Sequence, residues 1–210
     1  MQLLMLKIGA TPPGRLIEQH DVMFVAAKTL GDVLPAVNAA WCEVRGKWHI
    51  DAWRAVTRVG DYSVALVCEA VSRQDRQDSA PSQPSAPQLF FINLGGYLPN
   101  QFEEYHHKLL VVADSRARAI AQAKTSAFYH DYSFVNSNPA ISGVATSHVD
   151  NQLTLDVDNI HNVQDLLAPD YRLHIRKLTP EQQATLPHDD QHIGYLSLKQ
   201  LRALRDANAT

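Results

Sequence analysis

The chain has 210 residues, of which 45% are hydrophobic and 20% charged, a composition typical of a soluble globular protein with one large or two small domains. Nineteen Lys and Arg oppose twenty-two Asp and Glu, and the net charge of -3 lacks the basic excess that binding to a nucleic-acid backbone requires. No segment approaches the ~20 consecutive apolar residues of a membrane-spanning helix. Nucleic acid and membrane are therefore excluded as expected partners.

The first residues predict a strand and a turn rather than a signal peptide. Lys7 interrupts the apolar run of Met1–Ala10, and Pro12 and Pro13 follow it. The sequence contains only two cysteines, Cys42 and Cys68, too few for a disulfide framework and without metal-type spacing. Both features predict a cytoplasmic protein.

The first predicted domain, residues 1–71, reads as strand, strand, helix, strand, strand. Thr29 or Asp32 is expected to cap the helix, with Pro35 in its first turn. In chain order, the elements are strands at Leu3–Ile8 and Val22–Ala27, a helical stripe from Leu30 to Trp41, and a hairpin of Ala55–Val59 and Tyr62–Val67 joined by Gly60 and Asp61.

A linker is predicted at Ser72–Gln88, where Ser, Pro and Gln dominate and alanine is the largest apolar side chain apart from proline. The second predicted domain is residues 89–210. Its expected elements are strands at Leu89–Leu94 and Leu109–Ala113, a helical stripe capped by Ser115 and reaching Phe128, strands at Leu153–Val157 and Tyr171–Ile175, and a C-terminal helix capped by Ser197.

The two domains show an internal repeat. Seven identities in twenty-seven aligned positions recur at an offset of 86 residues, the last of them pairing Ala27 with Ala113. His49-Ile50-Asp51 returns as His148-Val149-Asp150 at an offset of 99, which predicts a thirteen-residue insertion in the second copy, placed near 130–146. The expected class is α+β, with two copies of a small domain whose helices cover one face of a mainly antiparallel sheet.

Acidic and imidazole side chains recur together in both copies. In an extended chain, residues two apart point to the same side, so a Glu and a His, or a His and an Asp, share a face. The candidate ligand-binding residues are Glu18, His20, His49 and Asp51 in the first copy and Glu104, His106, His148 and Asp150 in the second.

Three interpretations of these residues stay open. Two imidazoles and two carboxylates suit a divalent metal, although no metal is assigned and a metal is not the favoured interpretation. The same groups suit general acid–base chemistry, with each imidazole oriented by a carboxylate. They are also consistent with a structural role, in which each histidine hydrogen-bonds a carbonyl group or a loop.

Two further features are given structural interpretations. Trp48 and Trp53 flank His49 and Asp51 and could wall a pocket or pack at an interface. The acidic and imidazole cluster at 188–192 lies between Pro187 and Gly194 and is predicted to be an exposed loop.

Several of these segments resemble a bacterial family classed as a domain of unknown function, number 1543 in that series. The resemblance is carried by the segments at 89–97 and 103–106, by His49-Ile50-Asp51-Ala52-Trp53 and Ser147-His148-Val149-Asp150, and by His192-Ile193-Gly194-Tyr195. It implies one or two copies of the domain and brings no activity, cofactor or catalytic residue. The first copy departs from it at Gly9-Ala10-Thr11, where the second has Gly-Gly-Tyr.

The sequence as a whole predicts an uncharacterised binding or interaction module with duplicated Glu/His/Asp sites. The alternative is a metal-dependent or His/carboxylate acid–base hydrolase. The possible partners are a small molecule, another protein or a second copy of the chain. If the partner is a second copy, the domains would have a purely structural role in holding the two copies together.

Overall fold

The computed structural model describes residues 1–69, 86–135, 144–145, 148–149 and 160–207. The protein has an α+β fold, as the sequence predicts, and its paired strands are all antiparallel. Its contacts divide the chain into two units, Met1–Arg73 together with Leu167–Thr210, and Gln74–Leu166.

The described strands are β1 (Gln2–Ala10), β2 (Gln19–Ala27), β3 (His49–Ala55), β4 (Arg58–Val59), β5 (Tyr62–Cys68), β6 (Gln88–Gly96), β7 (Tyr105–Ala113), β8 (Phe134–Val135), β9 (Val144–Ala145), β10 (His148–Val149), β11 (Ile160–Asn162), β12 (Tyr171–Lys177) and β13 (His192–Ser197). The described α-helices are α1 (Leu34–Ala40), α2 (Arg116–Ala123), α3 (Ala127–Asp131), α4 (Pro180–Thr185) and α5 (Leu198–Ala207). Short 3-10 helices lie at Leu30–Val33, Cys42–Val44 and Val163–Leu166.

The main sheet of the first unit has the strand order β13-β3-β1-β2. Leu4, Leu6 and Ile8 alternate along β1 and are buried in the same core as Val37 and Leu201. Because successive residues of a strand point to opposite faces, Gly9 lies on the face of β1 that is turned away from this core.

The helix of the first unit starts later than its apolar stripe suggests. A 3-10 turn at Leu30–Val33 precedes α1, and Pro35 lies in the first turn of the α-helix, where its missing N–H costs no hydrogen bond. Thr29 donates from its backbone N–H to Asp32 Oδ2 at 2.9 Å, so both predicted capping residues take part.

The C-terminal segment belongs to the first unit, which corrects the expected second domain of 89–210. β12 pairs with β5 of the first unit over seven residues, and β13 pairs with β3. The helix α5 lies on the turn at Leu30–Val33, where a Cβ on Gly31 would come within 2.6 Å of the backbone of Arg205. Leu201 of α5 is completely buried.

Two anchors hold the segment before β13. Asp189 accepts hydrogen bonds from the backbone N–H groups of Thr57 and Arg58, each at 3.0 Å. The buried side chain of Arg58 donates to the carbonyl groups of Gly60, Gln183 and Leu186. The region predicted as an exposed loop is therefore tied to the turn that follows β3.

The second unit has β6 at the centre of its sheet, with β7 on one side and both β10 and β11 on the other. β6 and β7 have the same lengths as β1 and β2 and lie 86 residues further along, the difference between Gln88 and Gln2. Ser115 caps α2, as predicted, but the helix ends at Ala123, and Phe128 belongs to a separate helix capped by Ser126.

Several predictions lie wholly or mostly outside the described residues. The strand expected at Leu153–Val157 falls within 150–159, and all but the last three residues of the linker expected at 72–88 fall within 70–85. Part of the insertion placed near 130–146 is described, as the pairing of β8 with β9.

Candidate functional site

Glu18, His20, His49 and Asp51 converge in the first unit, and we call them the HED cluster. His49 Nε2 lies 3.2 Å from Glu18 Oε1 and 3.1 Å from Asp51 Oδ1. His20 Nε2 lies 3.3 Å from both Glu18 Oε2 and Asp51 Oδ2. Each imidazole therefore faces both carboxylates, and each carboxylate faces both imidazoles.

Gly9 forms the floor of the cluster. In the sheet register it lies between His20 of β2 and His49 of β3. A Cβ at this position would lie 2.7 Å from His49 Nε2 and 3.0 Å from Asp51 Oδ2. The absence of a side chain at residue 9 is what lets the imidazole and the carboxylate approach β1 so closely.

A β-bulge sets the direction of Asp51. The pairing between β1 and β3 passes from Ile8 with Ile50 to Lys7 with Ala52, which leaves Asp51 as the extra residue. Ile50 and Trp53 can then both contact the core, although they are three residues apart in a strand. The bulge thus keeps the apolar side of β3 on the core and aims Asp51 at the histidines.

The cluster is buried at its base and open to solvent on one side. The side chain of His49 is 10% exposed and that of Asp51 24%, whereas His20 and Glu18 are 38% and 41% exposed. Asp51 Oδ2 is inaccessible to solvent and has no hydrogen-bond partner among the described residues. Its contact with His20 Nε2 is close in distance but does not satisfy this oxygen.

Residues of β13 complete the surroundings of the cluster. The ring of Tyr195 lies 4.3 Å from that of His49 between centroids, and His192 stacks on Trp53 at 4.7 Å. Tyr195 is 68% exposed, whereas Trp48 is buried in the core, with its indole N–H donating to Asn38. Trp53 also packs against this core, so the two tryptophans contact the core of the first unit.

Sequence reasoning missed Gly9 and Tyr195 as parts of the site. The recurrence of Gly9 as Gly95 at the offset that also relates the Glu and His pairs was an available signal for the floor. Tyr195 carried no comparable signal, because it lies about 145 residues from its neighbour His49 and the pairing of β13 with β3 is a long-range contact.

The donor set matches the chemistry of a divalent transition metal, since imidazole nitrogen and carboxylate oxygen are common ligands of such ions. In the described part of the chain, however, no group of three or more His, Cys, Asp or Glu side chains is arranged so that it could hold a metal ion. The close N···O contacts join the side chains to one another. Any metal would have to displace at least one of them.

The second unit repeats the floor of the site. Gly95 lies between His106 of β7 and His148 of β10 in the sheet register, as Gly9 lies between His20 and His49. Glu104 accepts a hydrogen bond from the hydroxyl of Tyr97 at 2.9 Å. The residue 86 positions before Tyr97 is Thr11. The last predicted member, Asp150, lies outside the described residues.

Comparison with known proteins gives a family model and a fold. Residues 15–66 match the family described as Domain of Unknown Function (DUF1543), and this match covers β2, β3 and the whole HED cluster. A solved structure titled "Crystal structure of a protein Il1583 from Idiomarina loihiensis" has a TM-score of 0.56 at 22% identity, covering 94% of this chain and 97% of that chain. No curated protein matches the chain.

In the described residues, every helix is too short or too polar to cross a membrane.

Proposed function

We propose that this chain is a binding module whose ligand contacts the HED cluster of the first unit. The observation that carries the proposal is the convergence of four chemically active side chains from β2, β3 and the loop before β2 on a glycine floor. Such a cluster requires a strand position without a side chain and a β-bulge, which are two local departures from regular sheet structure.

The unsatisfied oxygen of Asp51 favours ligand binding over a structural role. A buried acceptor without a hydrogen bond costs about 1–3 kcal/mol, so a purely structural cluster is expected to satisfy its own polar atoms. Asp51 Oδ2 is such an acceptor. A ligand that supplies positive charge or a hydrogen-bond donor would remove this cost on binding.

The charge of the cluster limits the ligand class. Two carboxylates face two imidazoles, so the cluster is negative whenever both imidazoles are neutral. Tyr195 adds an exposed aromatic face beside His49. These features favour a cation or a ligand with several hydrogen-bond donors, and they disfavour phosphate and other anions.

We also propose that the two units descend from one duplicated domain. The proposal is supported by the equal lengths and common offset of the strand pairs β1–β2 and β6–β7. It is further supported by the equivalent registers of Gly9 and Gly95 between two histidines. On this view, Glu104, His106, His148 and Asp150 form the second site.

Acid–base hydrolysis remains a second candidate, favoured by one observation. Both Nε2 atoms face carboxylate oxygens at 3.1–3.3 Å, the arrangement in which a carboxylate orients an imidazole for general acid–base catalysis. A hydrolase would turn over uncharged chromogenic ester substrates, and turnover would fall in His49→Ala.

The binding function can be tested by thermal shift on protein first treated with a chelator. The panel should contain divalent cations, primary amines and guanidinium compounds, and the test variant is the double substitution Glu18→Gln with Asp51→Asn. We expect at least one compound to raise the melting temperature of the wild type in a dose-dependent way and to leave that of the double variant unchanged. Equal shifts in both proteins, or no shift in the wild type, would refute the proposal.

His174→Ala provides a matched control. His174 also faces a carboxylate, with its Nε2 3.5 Å from Glu69 Oε1 on the pair β12–β5, but this contact involves one acid only. The control should respond to the panel as the wild type does.

A further inference from the structure

We propose that the HED cluster binds a divalent transition-metal ion, with Zn²⁺ as the representative ion. This inference rests on the proposed binding function and names its ligand.

The donor types select the class of ion. Imidazole nitrogen suits zinc, copper, iron and nickel, whereas calcium and magnesium prefer sites made of oxygen ligands alone. The HED cluster offers two imidazole nitrogens and two carboxylates. A transition metal is therefore preferred over calcium or magnesium.

The spacing of the donors is close to that of a coordination shell. Ligands bound to zinc at about 2.0–2.2 Å in a tetrahedral arrangement lie about 3.3–3.6 Å from one another. The four N···O distances in the cluster are 3.1–3.3 Å. Each imidazole nitrogen therefore lies slightly closer than this ligand-to-ligand separation to one oxygen of each carboxylate.

Glu18 is the member that has to move. The described side chains do not form a metal-holding group as they stand, so at least one must shift when the ion enters. Of the two carboxylate side chains in the cluster, that of Glu18 is the longer, and it is 41% exposed. Glu18 also lies just before the first residue of β2, outside the paired strand. Turning its carboxylate outward would open the space between the two histidines.

The other three members are held around the space that the ion would enter. His20 and His49 are held by strand pairing on the two sides of Gly9, and Asp51 is held by the bulge. Asp51 Oδ2 lies 3.3 Å from His20 Nε2 and lacks a hydrogen bond, so a metal ion would provide its missing partner. These three side chains do not form a metal-holding group as they stand, so binding would also draw them together as Glu18 turns away.

Calorimetric titration with ZnCl₂ tests the proposal on the full chain after removal of bound metals by a chelator. The wild type should bind one more tight equivalent than His49→Ala, in which affinity at the HED cluster should be at least about 100-fold weaker. His174→Ala should retain the tight equivalent. Circular dichroism of each variant verifies its fold.

Gly9→Ala provides a second variant that keeps all four donors. The added methyl group would displace His49 Nε2 and Asp51 Oδ2, so the tight equivalent should also be lost or weakened. Wild-type affinity in both His49→Ala and Gly9→Ala, or no tight zinc binding by the wild type, would overturn the metal proposal.

The titration and the thermal-shift panel separate the two proposals. If zinc does not bind but an organic cation stabilises the wild type and not the double variant, the binding function stands and the metal inference fails. If no panel compound, zinc included, distinguishes the wild type from the double variant, both fail.

Discussion

A methyl group on Gly9 would lie 2.7 Å from Nε2 of His49, so the position of this imidazole depends on the absence of a side chain one strand away. The backbone of Gly9 pairs with His20 on one side and with His49 on the other. The geometry of the HED cluster is thus built into the pairing of three strands. The predictions below follow from this arrangement and from the way the C-terminal segment completes the unit.

Substitution Gly9→Ala should impair ligand binding more than folding. The clash involves the ends of the His49 and Asp51 side chains, which can turn away, rather than backbone atoms. We expect the free energy of unfolding to fall by less than about 1.5 kcal/mol, while zinc affinity falls at least tenfold. Urea denaturation and calorimetry on the same preparation measure both quantities. A loss of stability without a loss of affinity would mean that Gly9 serves the fold alone.

Substitution Asp51→Asn should not destabilise the metal-free protein. Asp51 Oδ2 is buried without a hydrogen bond, so removing its charge removes an unfavourable group. We expect the free energy of unfolding, measured by urea denaturation in the presence of a chelator, to stay equal or to rise by up to about 1 kcal/mol. A decrease of about 1–3 kcal/mol would instead show that the carboxylate is a structural acceptor.

Substitution Leu201→Ala should destabilise the first unit strongly. Leu201 is fully buried in the core formed by β1 and α1, and truncating such a leucine costs about 2–5 kcal/mol. Leu204, one turn later on α5, is 43% exposed, so Leu204→Ala should cost less than about 1 kcal/mol. Chemical denaturation of both variants measures the difference, and similar costs would contradict the packing of α5 described above.

Substitution Asp189→Asn should weaken the attachment of the C-terminal segment. The carboxylate accepts from the backbone N–H groups of Thr57 and Arg58 and from the Thr57 hydroxyl at 2.6 Å. We expect a loss of about 1–3 kcal/mol in the free energy of unfolding and faster hydrogen exchange in β13. The exposed neighbour Asp190 provides the control, because Asp190→Asn should change stability by no more than about 0.5 kcal/mol.

His107 should make the second unit less stable as the pH falls. Partial burial lowers the pKa of His107 below its usual 6.5, and the charge of Lys108 lowers it further. The folded state therefore binds the proton less readily than the unfolded state, so this contribution to stability is complete above pH 6.5 and is lost as the pH falls from there towards the folded pKa.

Urea midpoints measured between about pH 5 and pH 8 test this linkage. His107→Gln should reduce the decline of the urea midpoint at acidic pH. Lys108→Gln should reduce this decline only in part, because the substitution removes only the contribution of the Lys108 charge. The ring of His107 stacks on Phe128 at 5.3 Å, so near-ultraviolet circular dichroism can follow the same transition. If both variants keep the pH dependence of the wild type, the loss of stability at acidic pH does not come from His107.

The local elements of the fold could be predicted from the sequence. The strands β1, β2, β5, β6 and β7, the turn at Gly60 and Asp61, and the caps at Thr29, Ser115 and Ser197 depend on residues within a few positions of one another. The strand expected at Ala55–Val59 was wrong, because β3 ends at Ala55 and β4 contains only Arg58 and Val59. The helical stripe that reached Phe128 was too long, because Ser126 starts a new helix after the turn at Lys124 and Thr125. Periodicity alone does not reveal such a break.

The long-range pairings could not be predicted. β12 has the alternating pattern that fits either unit, and its pairing with β5 is decided by tertiary contacts rather than by its own sequence. The same holds for β13, which brings Tyr195 to His49. The second domain was expected to span 89–210, but the contacts of residues 167–210 group them with the first unit.

The structure brings Glu18, His20, His49 and Asp51 together, as the shared-face pattern led us to expect, and their role in binding stays a prediction. The spacing of two residues placed Glu18 with His20 and His49 with Asp51, but no sequence pattern indicated the bulge at Asp51 or the role of Gly9. These features depend on the register between β1 and β3. Register follows from how both strands meet the core, which a single sequence does not specify.

Anomalous diffraction at the zinc absorption edge, from crystals grown with ZnCl₂, tests the central claim most directly. The account predicts a peak bounded by His20 Nε2, His49 Nε2 and a carboxylate oxygen of Asp51, with the Glu18 carboxylate displaced from its metal-free position. A zinc-loaded crystal with no peak among these side chains, or with the four contacts unchanged and zinc bound elsewhere on the chain, would contradict it.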